Sequence, residues 1–242
     1  MKHVRLFTAA ALSLLTVTAA TAGAQDRGRG RGHDKDDRDN HGQQVSQAEQ
    51  QRRIAEEQQR QQDYQNRLNA QIRAAQAQQT QLQAQRHAAE LAQHQRYLDA
   101  LQRQQQQLRA QRDYARDPYV TAPMVYRYRL NGASHQTNQY GADVLRQAVN
   151  NGYAEGYQHG QADRADGMSS NYRRSFAYQD ANYGYNGAYV PQSDYNYYFR
   201  QGFQRGYSDG YAHQSRYGSF ANGSGSVLSN ILSSILGLTT IH

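Results

Sequence analysis

Two imidazoles and two carboxylates at helical spacing are the side chains in this sequence best placed to do chemistry. His159 and Asp163 stand four residues apart, and Asp209 and His213 repeat that spacing fifty positions later. One helical turn within each pair puts both groups on the same helix face, and two imidazoles with two carboxylates are a donor set that divalent transition metals accept. A competing account needs no metal. Glu155 precedes the first pair by one turn and Arg205 precedes the second, so copy aligned on copy gives Glu155 with Arg205, His159 with Asp209 and Asp163 with His213. Such matches would form an exposed ion-pair ladder, although the matching presumes a relative orientation, and an antiparallel arrangement would scramble it.

Other candidate sites are thinner. Asp37, Asp39, His41 and Gly42 resemble the opening of a calcium loop, but its twelfth position is Ala48, where a bidentate Glu would be required. His87 and His94 lie two turns apart and read as solvated. No phosphate-binding glycine loop, HExxH or GxSxG is present. The expectation is a non-enzymatic chain with no cofactor.

The elements that would position these groups are two copies of one pattern: Gly, aromatic, two variable residues, Gly, Tyr, two variable residues, Gly. The first copy is Gly152, Tyr153, Gly156, Tyr157 and Gly160; the second is Gly202, Phe203, Gly206, Tyr207 and Gly210. Glycines four apart line one side of a helix and let a second backbone come close, the arrangement of a glycine zipper. Each Gly costs about 0.5 to 1 kcal/mol against Ala in a helix interior, so close packing must offset the penalty. Apolar residues at Val144, Leu145, Ala148 and Val149 before the first copy, and Tyr198 and Phe199 before the second, continue the helical spacing.

Along the chain, residues 1–24 read as a secretory signal. Lys2 and Arg5 precede an apolar run, and Ala22-Gly23-Ala24 forms a cleavage site before Gln25, which implies a periplasmic or secreted protein. Residues 25–42 are charged and glycine-rich and read as a disordered spacer. Residues 43–117 lack Gly and Pro and are rich in Gln, Ala and Arg, which predicts a long coiled-coil-like helix. Its seam is thin: Leu68, Ala75, Leu82 and Ala89 keep one heptad phase, and Leu91, Leu98, Leu101 and Leu108 set up another. Residues 118–139 form a linker in which MVYRYRL precedes an Asn131-Gly132 turn signal without an obvious partner strand. Residues 140–225 hold the zipper domain with its tyrosine-rich connector and a polar Gly/Ser spacer at its end.

Residues 226–242 predict an amphipathic helix through Val227, Leu228, Ile231, Leu232, Ile235 and Leu236. Docking on the zipper domain, self-association and membrane-surface contact all remain open for it. The 242 residues contain no Cys, so disulfides and thiolate chemistry are excluded. A mean hydropathy of -1.03 and no Trp leave little for a large core. The formal charge of +7 is compatible with anionic surfaces, and export makes nucleic acid an unexpected partner.

The Gly-Tyr pair, DANYGYNGAYV, YNYYFRQGFQRGYSDGY and the Ser/Leu/Ile tail resemble a group of uncharacterised exported bacterial proteins. The resemblance runs from about Tyr140 to Ile241 and implies an extracytoplasmic bacterial protein. It brings no activity, ligand or catalytic residue. The fold expected is mainly α: a disordered N-terminal spacer, a long Gln/Ala/Arg-rich helix, and a small C-terminal helical domain built on two glycine-zipper helices. The role expected is structural or interaction-mediating in the cell envelope, through self-association of the long or C-terminal helix or contact with an envelope protein.

Overall fold

The computed structural model describes residues 45–241, except Arg86 and Gln111. The expected signal, the charged spacer and the Asp37 to Gly42 motif lie outside the described residues. The fold is mainly helical and begins with a long helix, α1, Gln47–Gln85. It spans about 58 Å at 1.5 Å per residue. The expected continuous helix does not run on to residue 117. A second helix, α2, Ala88–Arg109, folds back on the first. His94 Nε2 reaches the Ala75 carbonyl at 2.7 Å, and Gln65 near the middle of α1 donates to the Leu108 carbonyl near the end of α2. The break falls between Leu82 and Leu91, where the heptad phase shifts, and leaves only Ala89 of the first phase on α2. An antiparallel hairpin lets both phases bury: Tyr64, Leu68, Ala75 and Leu82 on α1 face inward, as do Tyr97, Leu98, Leu101 and Leu108 on α2.

The start of α2 has no cap of its own. Its Ala89 and Glu90 amides donate to Asp166 Oδ1 at 3.1 Å and Oδ2 at 2.8 Å. Orphan amides at a helix start need an acceptor, and a carboxylate also suits the positive end of the helix dipole. Here the acceptor comes from the far end of another helix.

After a short helix, α3 (Pro118–Thr121), strands β1 (Tyr126–Leu130) and β2 (Ala133–Thr137) form an antiparallel hairpin. Asn131 and Gly132 both take positive φ, 50° and 82°, as a two-residue turn with matching strand twist requires. Helix α4, Gln139–Ala165, opens on Asn138, whose side chain accepts from the Gly141 amide at 2.9 Å. Residues 166–191 then return the chain through a 3-10 turn and α5 (Phe176–Asp180). Tyrosines pack this connector: Tyr185 is fully buried and donates to the Val190 carbonyl at 2.7 Å, while Tyr195 donates to that of Tyr183 at 2.6 Å. Helix α6, Gln192–Ala212, follows.

The last segments differ from expectation. The supposed Gly/Ser spacer is a hairpin of β3 (Gly218–Ala221) and β4 (Ser224–Val227), turned at Asn222 and Gly223 with φ of 52° and 79°. The tail is no single helix. Val227 belongs to β4; α7 covers only Ser229–Leu236 and stops at Gly237, which adopts the left-handed conformation. Beyond it β5 (Thr239–Thr240) pairs with β1, completing a sheet of order β2-β1-β5. Among the described residues no helix is long and apolar enough to cross a membrane.

Candidate functional site

Helices α4 and α6 run parallel and touch backbone to backbone. A Cβ placed on Gly152 would lie 2.0 Å from the Phe199 carbonyl oxygen, one on Gly156 2.1 Å from that of Phe203, and one on Gly160 2.3 Å from that of Tyr207. The reciprocal contacts match. Gly202 faces the Val149 carbonyl, Gly206 that of Tyr153, and Gly210 that of Tyr157, at 1.9 to 2.0 Å. Each contact has a twin fifty residues along, so a pseudo-two-fold axis runs between the helices. The four flanking aromatics, Tyr153, Tyr157, Phe203 and Tyr207, pack beside this seam.

That symmetry decides the fate of the charged residues. A two-fold axis keeps equivalent residues together only when they lie on it, as the glycines do, and sends all others to opposite flanks. Glu155 therefore faces α2, where it accepts from Gln93 Nε2 at 3.2 Å, while Arg205 bonds Gln201 on its own helix. The ladder of Glu155 with Arg205, His159 with Asp209 and Asp163 with His213 does not form. Nor are His159, Asp163, Asp209 and His213 gathered around a metal, and no cluster of three or more His, Asp or Glu side chains with metal-holding geometry exists among the described residues. His159 is buried against Phe203, both ring nitrogens unpartnered, and His213 is an exposed left-handed residue ending α6. Burial, reinforced by His94 and Arg96, holds the His159 imidazole down at about 3, so it stays neutral.

The two aspartates are structural acceptors. Asp209 takes the Tyr153 hydroxyl at 2.8 Å and the Arg216 and Tyr217 amides at 3.1 and 2.9 Å, tying α4 to the chain that enters β3. Asp163 takes the Tyr207 hydroxyl, with Arg174 at 3.8 Å. Two further pairs follow the same rule: Tyr97 donates to Asp180 and Tyr128 to Asp194, both at 2.6 Å. Burial, then the bonded carboxylate, pushes the Tyr128 and Tyr153 hydroxyls up, and all four tyrosines remain donors at neutral pH. Sequence reading passed over these pairs because partners 44 to 83 residues apart carry no local pattern.

The tail's apolar residues are largely used within the fold. Val227 and Leu236 are buried, Ile231, Leu232 and Ile235 pack partly against the core, and Leu228 alone of the six is exposed, at 46%. A groove of about 960 Å³ lies between α1 and the start of α6. Arg52, Arg60 and Arg67 line it together with Glu56 and Asp63, so it presents both signs of charge.

Comparison with protein-family models, with curated proteins and with solved structures returns no match for this chain.

Proposed function

We propose that the chain is an exported, non-catalytic structural or interaction protein of the cell envelope, acting through helix contacts. One observation carries the reading: four aspartates that could serve as acids, bases or ligands, three of them buried and Asp180 half-buried, are each bonded to a tyrosine hydroxyl. Each of these bonds ties two separate elements of the fold together, which gives the carboxylate a bracing role. The outer side of the α1–α2 hairpin faces water and is rich in Gln and Arg, and this polar face is the surface offered to an envelope partner or a second copy. Export rests on the N-terminal pattern, with cleavage after Ala24.

The test is expression of the full chain in a Gram-negative host, followed by fractionation, mass measurement and cross-linking in intact cells. Periplasmic protein beginning at Gln25, cross-linked to envelope components or to itself, supports the reading. Uncleaved protein in the cytosol contradicts export, and a mature chain that is never cross-linked contradicts the interaction role.

A further inference from the structure

The contact between α2 and α4 buries ionisable groups, of which Asp163 alone has an ion pair among the described residues, with Arg174 at 3.8 Å. Glu90, Gln93 and His94 on α2 face Glu155, His159 and Asp163 on α4, each less than a tenth exposed. Arg96 donates from Nε to Gln93 Oε1 at 2.9 Å, and Gln93 Nε2 donates to Glu155 Oε2 at 3.2 Å, so a neutral amide stands between the guanidinium and Glu155. The surrounding elements add little more. From α1 comes the Ala75 carbonyl on His94; from α5, Phe176 beside His94 and Asp180 already bonded to Tyr97. From α6 come Phe203 beside His159 and the Tyr207 hydroxyl on Asp163, while Asp166 and Arg174 stand at the far end of the layer near Glu90 and Asp163. One Glu90 carboxylate oxygen is buried without a partner.

We infer that Glu155 is a pH-sensitive clasp between the α1–α2 hairpin and the α4–α6 pair: neutral, its carboxyl lies comfortably under α2, and ionised it loosens the hairpin. A buried carboxylate whose only bond is to an amide is poorly compensated. Burial accordingly pushes Glu155 up to about 7. With the hairpin lifted, Glu155 meets water and releases its proton near its ordinary value of 4.5. The closed form thus holds a proton that the open form has lost, and the contact weakens as pH rises through the interval from 4.5 to about 7, remaining weakened above it. His94 and His159 act in the opposite sense. Burial lowers both below the ordinary imidazole value of 6.5 when closed, so the open form takes up protons more readily and acid also opposes closure. The two effects offset each other over much of the acidic range, and Glu155 must be isolated by substitution.

The experiment is hydrogen exchange on the full chain and on Glu155→Gln between about pH 5 and about pH 8, corrected for intrinsic exchange, with α4–α6 amides as internal reference. The ratio of α2 protection in the variant to that in the wild type is expected to rise on the order of tenfold or more toward high pH, one pKa unit being a factor of ten. A ratio that stays constant with pH overturns the clasp. If the variant does not fold, ¹³C-glutamate titration of the wild type decides. One side-chain carboxyl titrating near neutrality supports the inference, and all of them titrating in the ordinary carboxylate range overturns it.

Discussion

Gly156 on α4 lies directly under the Phe203 carbonyl of α6, and Gly206 on α6 lies under the Tyr153 carbonyl of α4. A Cβ at either position would stand 2.0 to 2.1 Å from that oxygen. No side-chain rotation relieves such a clash, because both colliding groups are fixed to helical backbone. Gly156→Leu or Gly206→Leu is expected to cost at least about 1 to 3 kcal/mol and to lower Tm by several degrees. Thermal melting monitored by circular dichroism checks this; a variant melting within about 1 °C of wild type contradicts the packing described.

Asp209 receives three donors, the Tyr153 hydroxyl and the Arg216 and Tyr217 amides. Asp209→Asn turns one acceptor oxygen into an NH2 group facing donors, and a loss of about 1 to 3 kcal/mol is expected. The loss should be local first. Faster amide exchange at Arg216 and Tyr217 with α1–α2 unchanged fits this reading, and unchanged exchange at both positions is the outcome against it.

Asp166 caps a helix far from it in sequence. Asp166→Ala is expected to destabilise by about 0.5 to 2 kcal/mol, the range for a lost N-cap. NMR secondary shifts read the effect: fraying confined to the first turn of α2 agrees with the structure, and fraying at the end of α4 alone does not.

Leu236 is 2% exposed and precedes the Gly237 turn that sends the chain to β5. Leu236→Ala is expected to cost about 2 to 5 kcal/mol and to release β5 from β1. Loss of the Ile241 amide's protection, which rests on the Val125 carbonyl at 2.8 Å, marks that release. A tail that serves only as an external contact would leave this amide and the melting point unchanged.

The glycine spacing was legible because both copies carry it, but period four serves a parallel or an antiparallel pair equally, so orientation was not. Once parallel, the pair needs a two-fold axis, and the Glu155, His159 and Asp163 flank moves from the surface to the α2 contact. Nothing in α2 announces that burial. A helix filled with Gln has no strongly apolar face, and Gln93 and His94 look as solvated as Gln102 or Gln106. The heptad shift between Leu82 and Leu91 did mark the hairpin's turn. Its cap, Asp166, was out of reach of local reading because it is supplied 77 residues away. The β3–β4 turn carries the same Asn-Gly signal as β1–β2, at Asn222 and Gly223, and was masked by the Gly/Ser composition around it.

Parallel packing of α4 and α6 is the relationship on which the rest depends, and the absence of native Cys allows a direct distance measurement. Spin labels at Asp143→Cys and Ser193→Cys mark the starts of both helices; labels at Asp143→Cys and Ala212→Cys mark the start of one and the end of the other. Nineteen residues of helix separate positions 193 and 212, about 28 Å. The structure requires the 143 to 193 distance to be clearly the shorter of the two. If the 143 to 212 distance is the shorter, the helices are antiparallel and the account of the seam and the buried flank fails.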